Sequence, residues 1–327
     1  MFCHKRRFGL TSLIILVLSL GVVLVINGCG GEGDRAVVDF DQTQPVARPG
    51  EHASRNPPLR VAVAAMISPK ETFNLYRQLL EYLSRRAGKD LEFVQRKTYV
   101  EINELLRKGD IEVAFLCSGP YATDKASFKF EPLAVPLVHG SSFYQSFLIV
   151  HKDSPHKRLE DLKGRSFAFT DPNSNTGKLV PTYWLAELQE RPETFFSQTI
   201  YTYSHDNSIL AVSRGLVDGA AVDSLIYEYY KEKKPEFTAR TRVIRKSSQF
   251  GIPPLVASGH LPPSDRDRLQ QVLLTMHQDP EGRRILGELF IDRFIPLKEE
   301  WYEPIRHLHQ KLAHLKEERN AAAKPEK

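Results

Sequence analysis

Five stretches of the 327-residue chain set small polar side chains directly behind an apolar, strand-like run. They are Ser68, Ser118 (in SGPY), Asp171–Pro181 (DPNSNTGKLVP), His205–Ser208 (HDNS) and Asp223–Ser224. Each also stands where a helix-like pattern begins. The first turn of a helix has N–H groups without intrahelical partners, and Ser, Thr, Asn and Asp are the residues that cap them. Such a set either caps helices one by one or, where several starts converge, holds an oxyanion. DPNSNTGKLVP is the richest: Ser174, Asn175, Thr176 and Gly177 supply two hydroxyls, an amide and a flexible glycine in four residues. It is neither a Walker loop nor GxGxxG, so it does not indicate a nucleotide site.

Other chemistries find less support. Ser118 or Ser174 with His205 and Asp206 has the residue types of a hydrolase triad, but no G-x-S-x-G elbow surrounds either serine. Cys117, at the end of an apolar run, reads as a small buried residue before it reads as a nucleophile. Eleven histidines are scattered without HExxH or another tight ligand spacing. Of three cysteines only Cys117 lies in the body, so neither an intramolecular disulfide nor a cysteine zinc site can form there. No metal and no cofactor is expected. Tyr99, Tyr121 and Tyr144 each fall near a strand end or a crossover, where they either pack or wall a small ligand and donate a phenolic hydrogen bond. Asp223 either caps the helix that follows from Leu225 or faces a ligand.

The elements that must position these residues alternate from Leu59 onward. LRVAVAAMI reads as a buried strand; SPKE has Ser68 as N-cap, Pro69 at the first helical position and Glu71 three residues on, the pattern of a capping box. The helix behind it carries Leu75, Leu79 and Leu83 on one stripe. Strand-like LEFVQRK, helix-like YVEINELLRKG and strand-like IEVAFLC follow. The alternation resumes with RSFAFTD, a helix through LVPTYWLAELQE, TIYTYS, a helix through NSILAVSRGL, and GAAVDS. This is an α/β pattern with largely parallel sheets in two runs, and no sharp internal repeat. The runs divide near SFYQSFLIV (Ser142–Val150), and a second apolar extended stretch, GIPPLVAS (Gly251–Ser258), leads into a helical tail. Two lobes crossed twice by the chain are expected: residues 59–147 with 255–318, and residues 148–254. The final 319–327 form a polar tail that frays into solvent.

The N-terminus has a basic start (Lys5, Arg6, Arg7) and an uncharged apolar run, Leu10–Ile26, long enough to span a bilayer. A permanent anchor helix is one reading. INGC, ending at Cys29, resembles a bacterial lipobox, in which cleavage leaves the cysteine as a lipid-modified N-terminus; this reading is preferred, with 1–28 as signal peptide. Residues 29–58, rich in Gly, Pro and acidic side chains, read as a flexible tether. Either reading puts the body outside the cytoplasm. The formal charge is +5, and residues 1–28 hold three basic and no acidic side chains, leaving +2 for the rest. A near-neutral body lacks the concentrated basic face that nucleic acid requires.

The order YVEINELLRKGDIEVAFLCSGPYA, FYQSFLIVHKDSPHKRLEDLKGRSFAFTDPNSNTGKLVP and YSHDNSILAVSRGLVDGAAVDS resembles the phosphate/phosphonate-type periplasmic substrate-binding proteins of ABC importers. The resemblance covers nearly the whole body, and the D-P-x-S-x-[ST]-G-x-x-x-P element with its downstream H-D pair is fairly specific. It implies a type II periplasmic-binding-protein fold, with two α/β lobes, a cleft between them and two crossing hinge segments, closing on a phosphonate, phosphite or phosphate. By the resemblance, Ser174, Asn175 and Thr176 bind the phosphoryl oxygens, and His205 and Asp223 complete that half of the site. Tyr99, Ser118, Tyr121 and Tyr144 line the other half and the crossover. Asn175 stands where many relatives carry Ser or Thr. Asp223 suits such a ligand: a phosphonate near neutral pH keeps one proton to donate to a carboxylate, whereas sulfate keeps none. The expected partners are an ABC permease and, through Cys29, a membrane. The expected protein is monomeric and performs no reaction. A ligand-sensing subunit of a membrane receptor and a secreted Ser-His-Asp hydrolase are the alternatives.

Overall fold

A computed structural model describes residues 57–322. The expected signal peptide, Cys29, all but the last two residues of the expected tether and residues 323–327 lie outside the described residues.

The first sheet is built on β1 (Leu59–Val63), β2 (Leu91–Val94) and β3 (Val113–Phe115), with β2 and β3 parallel to β1 on either side. Helices α1 (Pro69–Ala87), α2 (Tyr99–Lys108) and α3 (Ser118–Phe128) follow these strands in turn. On α1, Leu79 and Leu83 of the expected stripe are fully buried with Leu80 beside them, while Leu75 is half-buried. The capping box, however, forms on the next helix. Thr98 accepts from the Glu101 amide and Glu101 reaches back to the Thr98 amide. At Ser68 no side-chain cap is made, and Glu71 pairs instead with Lys234 at 2.5 Å.

The chain then runs through β4 (Glu131–Val138) and a two-residue strand, β5 (Phe143–Tyr144), into β6 (Ser146–His151), the first strand of a second sheet. That sheet repeats the arrangement of the first. Strands β7 (Ser166–Phe169), β8 (Gln198–Tyr201) and β9 (Gly219–Asp223) form its parallel part, with β7 in the middle. They are followed by α4 (Val180–Glu187), α5 (His205–Ser213) and α6 (Ser224–Lys233). After β10 (Thr241–Lys246) the chain returns through β11 (Phe250–Gly251) and β12 (Leu255–Ala257) to the first sheet. Helices α7 (Pro263–Thr275) and α8 (Pro280–Glu288), β13 (Ile291–Ile295) and α9 (Glu303–Ala322) complete it.

The strand orders are β13-β4-β12-β3-β1-β2 and β10-β6-β9-β7-β8. Both sheets are therefore mixed, where largely parallel ones were expected. The physical reason is the crossing. Strand β12 enters the first sheet between β3 and β4, and β6 enters the second between β9 and β10, each antiparallel to both neighbours. The crossings lie side by side as the β5–β11 ribbon, paired at Tyr144–Phe250 and Phe143–Gly251. Helix α9 adds a link that the sequence reading did not contain. It touches α3 of the first lobe and α4 of the second, with Leu308 and Leu312 against the core, and it remains helical to Ala322.

Candidate functional site

The parallel strands of both lobes end at helix starts that face each other, so the site is assembled from backbone geometry before any side chain is considered. The Asp171–Pro181 turn is its tightest part. Ser174 accepts the Gly177 amide at 3.0 Å, and the chain then makes a π-helical turn over Asn175–Leu179, with Leu179 N donating to Ser174 O at 2.9 Å. Glycine is required at 177: a Cβ there would lie 2.4 Å from Thr170 Oγ1. Turns of this kind inside a helix often mark functional sites, because they redirect side chains at its mouth. Across the cleft Gly119 has a similar duty, as its Cβ would sit 3.0 Å from Asn173 O of the other lobe.

Among the described residues seven buried side-chain polar atoms have no protein hydrogen-bond partner. Three belong to residues expected in the site: Tyr99 Oη, Asn175 Oδ1 and Thr176 Oγ1. A fourth, Ser204 Oγ, sits at the N-cap of α5, the helix that begins with His205. Leaving such groups unmet is costly, and these four belong to helix starts at the strand ends of the expected site. Asn175 spends its amide on Tyr144 Oη at 3.1 Å, which ties the phenol of the crossover to the turn.

His205 is buried, and burial pushes its pKa down to about 3, so the ring is neutral. Its Nδ1 accepts from the Asp223 amide at 3.1 Å and lies 3.0 Å from Thr170 Oγ1. The ring proton is therefore on Nε2, and the imidazole acts as a neutral donor. Asp223 is the helix cap that was one of its two readings: its Oδ1 accepts the Leu225 amide at 2.7 Å. Burial pushes its carboxyl up to about 7, against the lowering effect of the Leu225 and Ile226 amides. Its charge is felt by Tyr99, Tyr144 and Cys117, so it also faces the site. The Cys117 thiol is pushed up to about 12 by burial, with the Asn175 and Gly119 amides working in the other direction; it stays protonated and is no nucleophile.

Three expected site residues are placed differently. Tyr121 is turned away from the cleft: its hydroxyl donates to Glu299 at 2.6 Å, and its ring packs on Tyr302 with centroids 4.6 Å apart. Ser118 uses its hydroxyl to hold the crossing strand, donating to Gly251 O at 2.7 Å, and offers the site the start of α3. Ser174 is a cap and borders an outer cavity of about 410 Å³, which Lys178, Thr123 and His309 also line.

Two carboxylates that join the lobes were not among the expected ligand groups, Asp206 having been weighed only as a triad acid. Asp206 Oδ1 accepts the Ser68 amide at 2.9 Å, and Asp171 Oδ2 accepts the Tyr99 amide at 3.2 Å. In both cases a carboxylate of the second lobe docks on a helix start of the first. The backbone contact His205 N to Met66 O, 2.9 Å, lies beside them. The sequence does carry their signal, since Asp206 follows His205 directly and Asp171 sits three residues before Ser174.

Two lobes that share one strand order, joined by two crossing strands and closed around helix starts, define a type II periplasmic binding protein. The comparisons place the chain further. The profile of the periplasmic phosphonate substrate-binding proteins of ABC transporters matches residues 61–302, and the chain belongs to that family. It is 28% identical over 252 residues to the phosphonates-binding periplasmic protein of Escherichia coli, covering 74% of each chain. It is 26% identical over 258 residues to the phosphate-import protein PhnD of Mycolicibacterium smegmatis, covering 71% of this chain and 79% of that one. Among solved structures, a binding-protein component of a phosphonate ABC transporter from Pseudomonas aeruginosa superposes with a TM-score of 0.70 at 22% identity, over 82% of this chain and 99% of that one. PhnD1 of Prochlorococcus marinus in complex with methylphosphonate gives 0.68 at 20% identity, over 78% and 98%.

Proposed function

We propose that the protein captures a small phosphorus oxyanion outside the cytoplasm and hands it to an ABC permease. One observation carries the reading: the unpartnered buried atoms Tyr99 Oη, Asn175 Oδ1 and Thr176 Oγ1 come from the strand ends of both lobes, and Tyr99 feels the carboxyl of Asp223, the residue whose amide holds the neutral ring of His205. Hydroxyls and helix starts stabilise an anion without a full countercharge, and the acceptors Asn175 Oδ1 and Asp223 suit the protonated oxygen that a phosphonate, phosphite or phosphate retains. The relatives named for phosphonate, phosphate and phosphite support this ligand class. Thr176→Val keeps the shape of the side chain and loses its hydroxyl. It is expected to weaken methylphosphonate binding by about 1–3 kcal/mol in titration calorimetry. Unchanged affinity would remove Thr176 from the site.

The reading includes no chemical step. A Ser-His-Asp triad is opposed by the geometry: His205 Nδ1 meets a backbone amide and Thr170, Asp206 is engaged by Ser68, and Ser174 caps Gly177. The lobes hinge at the β5–β11 ribbon, as residues 59–147 with 255–318 and residues 148–254. The protein acts as a monomer, tethered by residues 29–58 to a lipid on Cys29. Cys29→Ser is expected to leave the protein unlipidated, shown by loss of metabolic labelling with a fatty-acid analogue. Labelling that persists would refute lipidation at Cys29.

A further inference from the structure

A second space is bordered by Asp223. It encloses about 80 Å³, where one water needs about 10–15 Å³ of the same kind of volume. The two lobes wall it together: Tyr76 and Phe115 of the first face Leu225, Ile226 and Tyr229 of the second. Asp223 is the one charged residue among those lining it; the rest are aliphatic, aromatic or proline side chains. The Tyr76 phenol feels the Asp223 charge from this side, as Tyr99 and Tyr144 feel it from the other. The carboxyl thus stands at the junction between the oxyanion-binding groups and an apolar space.

That junction constrains what the phosphorus atom carries. Inorganic phosphate or phosphite, anchored on Tyr99, Asn175 and Thr176, leaves the apolar space to water that has few polar partners there. An ammonium-bearing substituent meets one carboxyl, whose Oδ1 already accepts the Leu225 amide, and loses its hydration against hydrocarbon walls. An uncharged carbon chain satisfies both demands, since each methylene it buries leaves water for a matching wall.

We propose that the protein selects phosphonates whose substituent is an uncharged, apolar chain of three or four carbons, seated between Tyr76, Phe115, Leu225, Ile226 and Tyr229. The proposal rests on the reading of the site as a phosphorus-oxyanion site. The test is titration calorimetry on the full-length protein in detergent. The ligands are phosphate, phosphite, 2-aminoethylphosphonate and the methyl-, ethyl-, propyl- and butylphosphonate series. Affinity is expected to rise about three- to fourfold per methylene, the equivalent of ~0.8 kcal/mol. 2-Aminoethylphosphonate, with as many heavy atoms as propylphosphonate, is expected to bind at least tenfold more weakly than it. Filling the space from either lobe, with Leu75→Phe or Ile226→Phe, is expected to flatten the series. A series that is flat or falls with chain length in the unmodified protein overturns the proposal. So does phosphate or phosphite binding as tightly as butylphosphonate, or 2-aminoethylphosphonate matching propylphosphonate. Absence of heat with every phosphorus compound would instead overturn the oxyanion reading beneath it.

Discussion

Asp223→Asn is expected to relax the discrimination between phosphorus oxyanions and sulfate and to make what remains of it independent of pH. The reason is proton supply. Burial lifts the Asp223 carboxyl to about 7, so the site holds a proton of its own in mild acid and loses it above neutrality. Below that point a protonated Asp223 donates to any tetrahedral anion, and sulfate competes. Above it, the carboxylate accepts only from a ligand that brings a proton, which a phosphonate does and sulfate does not. Selectivity against sulfate in the native protein is therefore expected to rise as pH climbs through neutrality, by at most about tenfold per pH unit, and to level off once the phosphonate loses its own second proton and both anions need the one on Asp223. Competition calorimetry between pH 5.5 and 8.5 measures it. Asparagine has an amide donor for either anion at every pH, so the slope should vanish. A native selectivity that does not change with pH would reduce Asp223 to the cap of α6.

Stability follows the same two buried groups with opposite signs. The folded chain holds the Asp223 proton more tightly than the unfolded chain. Its contribution is full below the ordinary carboxylate range and declines as pH rises to about 7. His205 is lowered to about 3, so its contribution is full above the ordinary imidazole range and declines as pH falls from there. Between the ordinary carboxylate and imidazole values the two trends offset each other, which leaves ligand selectivity as the clearer reporter.

Asp206→Ala is expected to lower the affinity for every ligand by about ten- to hundredfold without altering their order. Asp206 touches the first lobe through the Ser68 amide and sits in the first turn of α5, where it has no other hydrogen bond. A charge-assisted bond of this kind is worth about 1.5–3 kcal/mol, and it joins the two lobes as they stand in this structure. Its loss reduces the closed fraction, and apparent affinity falls by that fraction. Asp171→Ala acts in the same direction through the Tyr99 amide, but it also removes the contact that Asp171 Oδ1 makes with the Asn173 amide inside its own turn. Asp206 is the cleaner probe. An unchanged affinity in Asp206→Ala, with native secondary structure, would show that this bond does not govern closure.

Much of this site was legible because strand ends and helix starts are local. Apolar runs followed by Ser, Thr, Asn or Asp locate the turn at 174–176, His205 and Asp223 without knowledge of the sheet. What was not legible depends on partners far along the chain. Glu71 completes a capping-box pattern on paper, yet Lys234, 163 residues away, takes it. Tyr121 lies three residues past Ser118, near enough in sequence to suggest the cleft, but Glu299 holds its hydroxyl from the other side of α3. Asp171 read as part of a turn and Asp206 as part of a helix start or a triad, because their partners are backbone amides 72 and 138 residues away. The two lobes repeat one strand order without a sharp repeat in sequence, since topology constrains where apolar residues fall and not which ones they are.

The most direct test is a crystal structure of the protein grown with methylphosphonate above pH 7. The expected result is the phosphoryl group within hydrogen-bond distance of Tyr99 Oη, Thr176 Oγ1, the Asn175 side chain and His205 Nε2, with the methyl group directed past Asp223. An anion in the outer cavity beside Ser174 and Lys178, or a cleft holding only water, would contradict the account.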